Sequence, residues 1–162
     1  MRVVSNTSPL SNLAIIGRLE LLARRYVEVW IPSEVARELA ALSRRTAQSQ
    51  IQSALAQGWL HVEATTTLPP LSLPVRLDAG ESAAIALAVA VKADVLLIDE
   101  KRGRMAARSL GLAVGGLLGE LLHARLQSWI PTLRDEIARL RQEAGFFVDA
   151  EIEKFILSQA GE

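Results

Sequence analysis

The sequence predicts an α/β fold with a parallel sheet covered by helices on both faces, and three observations carry that prediction. Val95-Leu96-Leu97-Ile98 is a continuous apolar run, as a parallel strand buried on both faces requires. The stretch before it, Ala79 to Val91, is rich in alanine and apolar on nearly all sides, so it belongs inside a layered domain. Short apolar strands also alternate with helical patterns along the chain, the arrangement that builds parallel sheets.

Length and composition set the outer limits. The 162 residues are expected to form a single domain over 1–162, with 130–162 a C-terminal helical extension packed on it. Eighteen basic and eighteen acidic residues leave no formal net charge, so any nucleic-acid binding must come from a local patch. The chain has no cysteine, which excludes disulfides and thiolate metal sites. No apolar run reaches the roughly 18 residues of a membrane span, and the N-terminus, MRVVSNTSPL, lacks a secretory apolar core. A cytoplasmic protein with no membrane partner is expected.

In chain order, Arg2 to Ser5 reads as a strand ending at Asn6, and Thr7 or Ser8 then caps a helix with Pro9 in its first turn. Leu10, Leu13 and Ala14 give that helix its apolar face, and Gly17 stops it. Leu19, Leu21 and Leu22 suggest a further helical turn, and Val27 to Ile31 a second strand. Val35, Leu39 and Leu42 recur at helical spacing; another helix runs from Thr46 to Gln57 and stops at Gly58, before an extended Trp59 to Glu63. Thr65 to Pro74, TTTLPPLSLP, reads as a loop too short to separate two domains. After the central helix and strand come a helix over Gly103–Leu110, a strand over Leu112–Val114 and a helix over Leu117–Leu126. Two amphipathic helices split at Gly145 close the chain, lined by Ile130, Leu133, Ile137 and Leu140 and by Ile152, Phe155 and Ile156.

In such a sheet the strand C-termini and the following helix N-termini share one edge, where ligands bind. Asn6 and Asp99 each follow an apolar strand, Glu81 opens the central helix, and Glu38 lies at the margin of the buried stripe of its helix. Three carboxylates and one carboxamide at one edge make the all-oxygen ligation that Mg²⁺ or Mn²⁺ prefers, and such ions hydrolyse phosphodiesters. Each residue also has a purely structural reading. Asp78-Ala79-Gly80-Glu81 fits a capping box, Asp99 suits a helix cap, Glu38 a solvated helix face and Asn6 a turn. Their shared edge favours the functional reading.

Basic residues cluster nearby: Lys101, Arg102, Arg104 and Arg108 follow Asp99, and Arg37, Arg44 and Arg45 follow the second strand. Arginine forks suit phosphate, although solvated helix faces carry such charges routinely. His61 and His123 read as structural. Phe146, Phe147 and Phe155 read as core or interface residues rather than a base-stacking platform. Gly115-Gly116 and Gly119 follow no phosphate-loop pattern.

These residues resemble a PIN-domain nuclease, and more narrowly a VapC-like branch with uncharacterised members, often encoded as toxins beside small antitoxins. The resemblance runs through VVSNTSPLSNLAIIGRLELL, IPSEVARELA, LDAGESAAIALA, LLIDEKRGRMAARSLGL and AGFFVDAEIEKFILSQAGE. It implies a three-layer α/β/α sandwich with a central parallel sheet, and Mg²⁺- or Mn²⁺-dependent RNA cleavage by an acidic cluster. Carried over by motif, the first family aspartate falls on Asn6, with the adjacent hydroxyl at Thr7. The glutamate after the second strand falls on Glu38, the acid opening the central helix on Glu81, and the post-strand aspartate on Asp99. Asparagine is the departure: usual in this branch, it keeps a ligand oxygen and brings no charge.

The function expected is therefore a metal-dependent endoribonuclease, the toxin of a toxin–antitoxin pair, with an antitoxin and a second copy of the chain as partners. Asn6, Glu81 and Asp99 would hold the metal, Glu38 would ligate a second ion or position water, and Thr7, Arg102 and Arg104 would meet the RNA. The rivals are a PIN-like module that binds RNA or protein without catalysis, and a structural or dimerising α/β module whose carboxylates are helix caps.

Overall fold

The computed structural model describes residues 1–64 and 76–162; the loop expected at Thr65 to Pro74 lies outside them. Five strands form one all-parallel sheet. They are β1 (Val3–Ser5), β2 (Val29–Pro32), β3 (Leu60–Glu63), β4 (Val95–Leu97) and β5 (Val114–Gly115), in the spatial order β3-β2-β1-β4-β5. With helices on both sides, this is the expected α/β fold. The order reverses at β1, so β1 and β4 sit side by side at the centre, in register Val3↔Val95, Val4↔Leu96 and Ser5↔Leu97. Val3, Val4, Leu96 and Leu97 are fully buried, as strands covered on both faces must be.

The helices are α1 (Thr7–Ile15), α2 (Glu20–Tyr26), α3 (Ser33–Ala40), α4 (Arg45–Gln57) and α5 (Ala79–Ala90) in the first part of the chain. The second part holds α6 (Lys101–Ser109), α7 (Leu117–Leu126), α8 (Leu133–Ala144) and α9 (Ala150–Gln159). Helix α5 packs against β1, β2 and β4 and buries Ala84, Ile85, Leu87 and Ala88, which accounts for its small, apolar sequence. Gly17, Gly58 and Gly145 follow helices at positive φ, where a side chain would be strained. No helix among the described residues is long and apolar enough to cross a membrane.

Three sequence boundaries and one buried face need correction. The second strand begins at Val29, because Val27 takes a positive φ at the end of α2 and is exposed. Helix α6 starts at Lys101, two residues before Gly103, and β5 falls on Val114–Gly115 rather than Leu112–Val114. Finally, α9 packs on α7 through Ile156 and Leu157, whereas Ile152 and Phe155, expected on its buried face, are exposed. Helix α8 packs against α1 and α7 and buries Leu133, Ile137 and Leu140 as expected.

Leu96, buried in the central strand between two paired neighbours, makes the sheet testable. Leu96→Ala is expected to lower the unfolding free energy by about 2–5 kcal/mol, measured by urea denaturation with an unchanged m value.

Candidate active site

Each site residue is placed by an element end. Asn6 follows β1 directly, and its N–H donates to Leu97 O at 2.9 Å, locking it beside the exit of β4. By position Asn6 is the N-cap of α1, and asparagine is among the strongest capping residues. Its side chain nevertheless makes no cap bond: Oδ1 is buried and has no hydrogen-bond partner. The carboxamide is held in place without serving the helix.

Glu81 shows how two readings share one side chain. The capping box exists: Glu81 N–H donates to Asp78 Oδ1 at 2.8 Å, and Asp78 N–H donates to Glu81 Oε2 at 3.3 Å. The other oxygen, Oε1, is buried without a donor and faces the first turn of α6, 3.3 Å from where a Cβ at Gly103 would lie. Burial, the largest influence, raises the Glu81 pKa, and the negative charges of Asp78 and Glu100 add to it.

Asp99 lies two residues beyond β4 and does not cap its own helix, whose N-cap is Glu100. Instead its Oδ1 accepts from Leu117 N–H at 2.8 Å, at the start of α7, and Oδ2 accepts from Ser8 Oγ at 3.0 Å. Ser8 in turn accepts from Asn12 Nδ2 at 3.0 Å. Burial pushes the Asp99 carboxyl up, while the Leu117 amide, the Ser8 hydroxyl and the charge of Arg104 pull it down. Gly116 is required here: a Cβ would lie 2.9 Å from both Asp99 Oδ1 and Arg104 Nη1.

Glu38 stands apart. It is exposed, accepts a hydrogen bond from Thr7 Oγ1, and lies over the first turn of α5, where a Cβ at Gly80 would collide with its carboxylate. Among the described residues no three His, Asp or Glu side chains form a group that could hold a metal ion. The structure thus does not gather Glu38, Glu81 and Asp99 into one cage. The donor set that suits a hard cation is two carboxylates, Glu81 and Asp99, with Asn6. Its fit rests on Asn6 Oδ1 and Glu81 Oε1, buried acceptors that lack a donor and that a cation would satisfy.

The basic residues divide. Arg102 is exposed on the first turn of α6. Arg104 Nη1 donates to Ile98 O at 2.8 Å and Gly115 O at 2.9 Å, tying together the ends of β4 and β5. Burial and the neighbouring Arg108 lower the Arg104 pKa, and Asp99 opposes them.

Sequence reasoning missed Glu120, a buried carboxylate on α7. Tyr26 OH donates to its Oε1 at 2.7 Å and Arg25 Nη1 to its Oε2 at 3.1 Å. Its partners lie 94 and 95 residues away, so local spacing gave no signal. Burial raises the Glu120 carboxyl above its ordinary 4.5, opposed by Tyr26 and Arg25. A carboxyl raised on folding binds its proton more tightly in the native state. Its stabilising contribution is therefore full in acid and lost as pH rises from about 4.5 through the folded value. Glu120→Gln is expected to remove that loss, so the variant gains stability relative to wild type from acid to neutral pH. Denaturation across that range checks it; a difference flat with pH would refute the assignment.

The family model described as PIN domain (DUF3368) matches residues 2–162. Among solved structures, the chain is similar to a PilT N-terminus domain protein from the hyperthermophilic archaeon Sulfolobus solfataricus P2. That likeness has a TM-score of 0.52 at 20% identity and covers 88% of this chain and 95% of that one. No curated protein matches.

Proposed function

The chain belongs to the PIN domain family, and from that premise we propose that it is a metal-dependent endoribonuclease, the toxin of a toxin–antitoxin pair. PIN domains are generally nucleases and generally use divalent metals. The observation that carries the proposal is the pair of buried, donorless oxygens, Asn6 Oδ1 and Glu81 Oε1, on elements that flank the Asp99 strand end. Leaving such acceptors unsatisfied costs about 1–3 kcal/mol each, which a ligand of positive charge would recover.

Asn6, Glu81 and Asp99 would hold Mg²⁺ or Mn²⁺. The ion would neutralise charge developing on the phosphate and lower the pKa of a water. Leu117 N–H and Ser8 Oγ fix both Asp99 oxygens, so the carboxylate is set before substrate arrives. Thr7 orients Glu38, which is exposed and free to position the attacking water. Arg102 would meet an RNA phosphate. Arg104 would act mainly by holding the strand ends, since Nη1 already donates to two carbonyls. The exposed face of α9 around Phe155 suits a second copy or a small antitoxin, and the cytoplasm is the proposed compartment. A second reading, an RNA- or protein-binding module without catalysis, is favoured by one observation: position 6 carries no charge.

Purified protein and structured RNA, with Mn²⁺ or EDTA, separate the two readings: cleavage that needs the metal supports the nuclease. Asp99→Asn is expected to abolish that cleavage while the thermal midpoint holds or rises; unfolding of the variant would make Asp99 a structural cap.

Asn6→Asp should tighten Mn²⁺ binding by about 1–3 kcal/mol, because a charge is restored beside the ion at an intermediate dielectric. The metal-free variant should be less stable, from repulsion among acids. Calorimetric titration of both proteins is the check, and equal affinities would remove position 6 from the site.

A further inference from the structure

Asp99 borders two cavities, of about 530 and 640 Å³, and both are walled by Phe146 and Phe147 from the segment between α8 and α9. Both volumes lie within the roughly 300–1,000 Å³ typical of small-ligand sites. The larger has an unusual floor. It runs along the end of β5 and the start of α7, through Gly115, Gly116 and Gly119. A Cβ at Gly119 would meet nothing within 4 Å, whereas one at Gly116 would strike Asp99 and Arg104. The cavity is therefore open at Gly119 and closed by Asp99 and Arg104 at Gly116, and its apolar flanks are Val114, Leu117 and Leu118.

The opposite wall is aromatic and solvated. Phe146 packs against the core, but Phe147 is 84% exposed, which excludes the first of the two roles expected of it, core or interface. Lys101, exposed on α6, stands at the same cavity. An opening at Gly119, a free aromatic face and a cation beside a candidate phosphodiester-cleaving carboxylate together fit one kind of ligand.

We infer that this cleft is a nucleobase subsite, in which an unpaired base next to the scissile phosphate stacks on Phe147. The substrate is then single-stranded RNA or a loop, because a base inside a duplex has no free face to offer. Lys101 is placed to meet the backbone phosphate beside that base. The inference rests on the nuclease reading for the scissile phosphate; the stacking itself requires neither metal nor cleavage.

The test is therefore made in EDTA, with a single-stranded oligoribonucleotide carrying 2-aminopurine and with the same sequence as a duplex. Wild type should bind the single strand more tightly than the duplex and quench the probe as it stacks. Phe147→Ala should weaken single-strand binding about tenfold or more, the scale of one lost base–aromatic stack, and restore the fluorescence. Phe147→Trp should keep both signals, whereas Phe147→Leu, apolar but without an aromatic face, should behave as Phe147→Ala. Wild-type affinity and quenching in Phe147→Ala would overturn the subsite. So would full binding by Phe147→Leu, or a homodimer in sedimentation that Phe147→Ala dissociates, since Phe147 would then be interface. Phe147-dependent stacking without Mn²⁺-dependent cleavage would sink the nuclease and leave the subsite; cleavage with Phe147-independent binding would do the reverse.

Discussion

The candidate site depends on one hydrogen bond, from the Leu117 amide to Asp99 Oδ1. It couples the exit of β4 to the start of α7, where unpaired amides and the helix dipole favour negative charge. A carboxylate partly withdrawn from water is costly by itself; this amide and the Ser8 hydroxyl offset part of that cost and fix the group's direction. Everything nearby conforms to that bond. Gly116 must lack a side chain so that α7 can approach, and Arg104 holds the carbonyls of Ile98 and Gly115 so that β4 and β5 end together. Asn6 is then positioned by its own amide on Leu97 O.

The fold was legible because its determinants are local. Continuous apolar strands and an alanine-rich central helix can be read directly, and parallel pairing then places Asn6 and Asp99 on one edge without further information. The resemblance to PIN domains added the three-layer architecture and matched Asn6, Glu38, Glu81 and Asp99, already read at one edge, to the acidic positions of the family. What could not be read depends on partners distant in sequence. Nothing near Glu120 reveals that Tyr26 and Arg25 will enclose it, and nothing near Arg104 distinguishes a strand clip from a phosphate contact. The Glu81 alternatives could not be separated because both were true of different oxygens. For Phe147 the sequence left core and interface open, and only its exposure in the folded chain removes the core.

The buried acids fall into two kinds. Glu120 and Glu136 are structural: each is nearly inaccessible and paired with an arginine, Arg25 on α2 and Arg18 between α1 and α2 respectively. These pairs join α7 and α8 to the first half of the chain. Among the described residues Glu81 and Asp99 form no ion pair with an arginine, and their oxygens are met by amides, a hydroxyl or nothing. Removing the arginine would leave a buried carboxylate uncompensated, so the first kind serves folding, whereas the second is tied to no cation that links helices.

The two-residue length of β5 has a consequence for assembly. An edge strand invites another chain to continue the sheet through its unpaired amides and carbonyls. Here the edge strand, Val114–Gly115, is almost as short as a strand can be. Too little free backbone remains along β5 to template an incoming strand. Growth of the sheet from copy to copy is disfavoured at β5, which protects the margin bearing Asp99 from becoming an aggregation seam and leaves the four-residue β3 as the longer of the two edges.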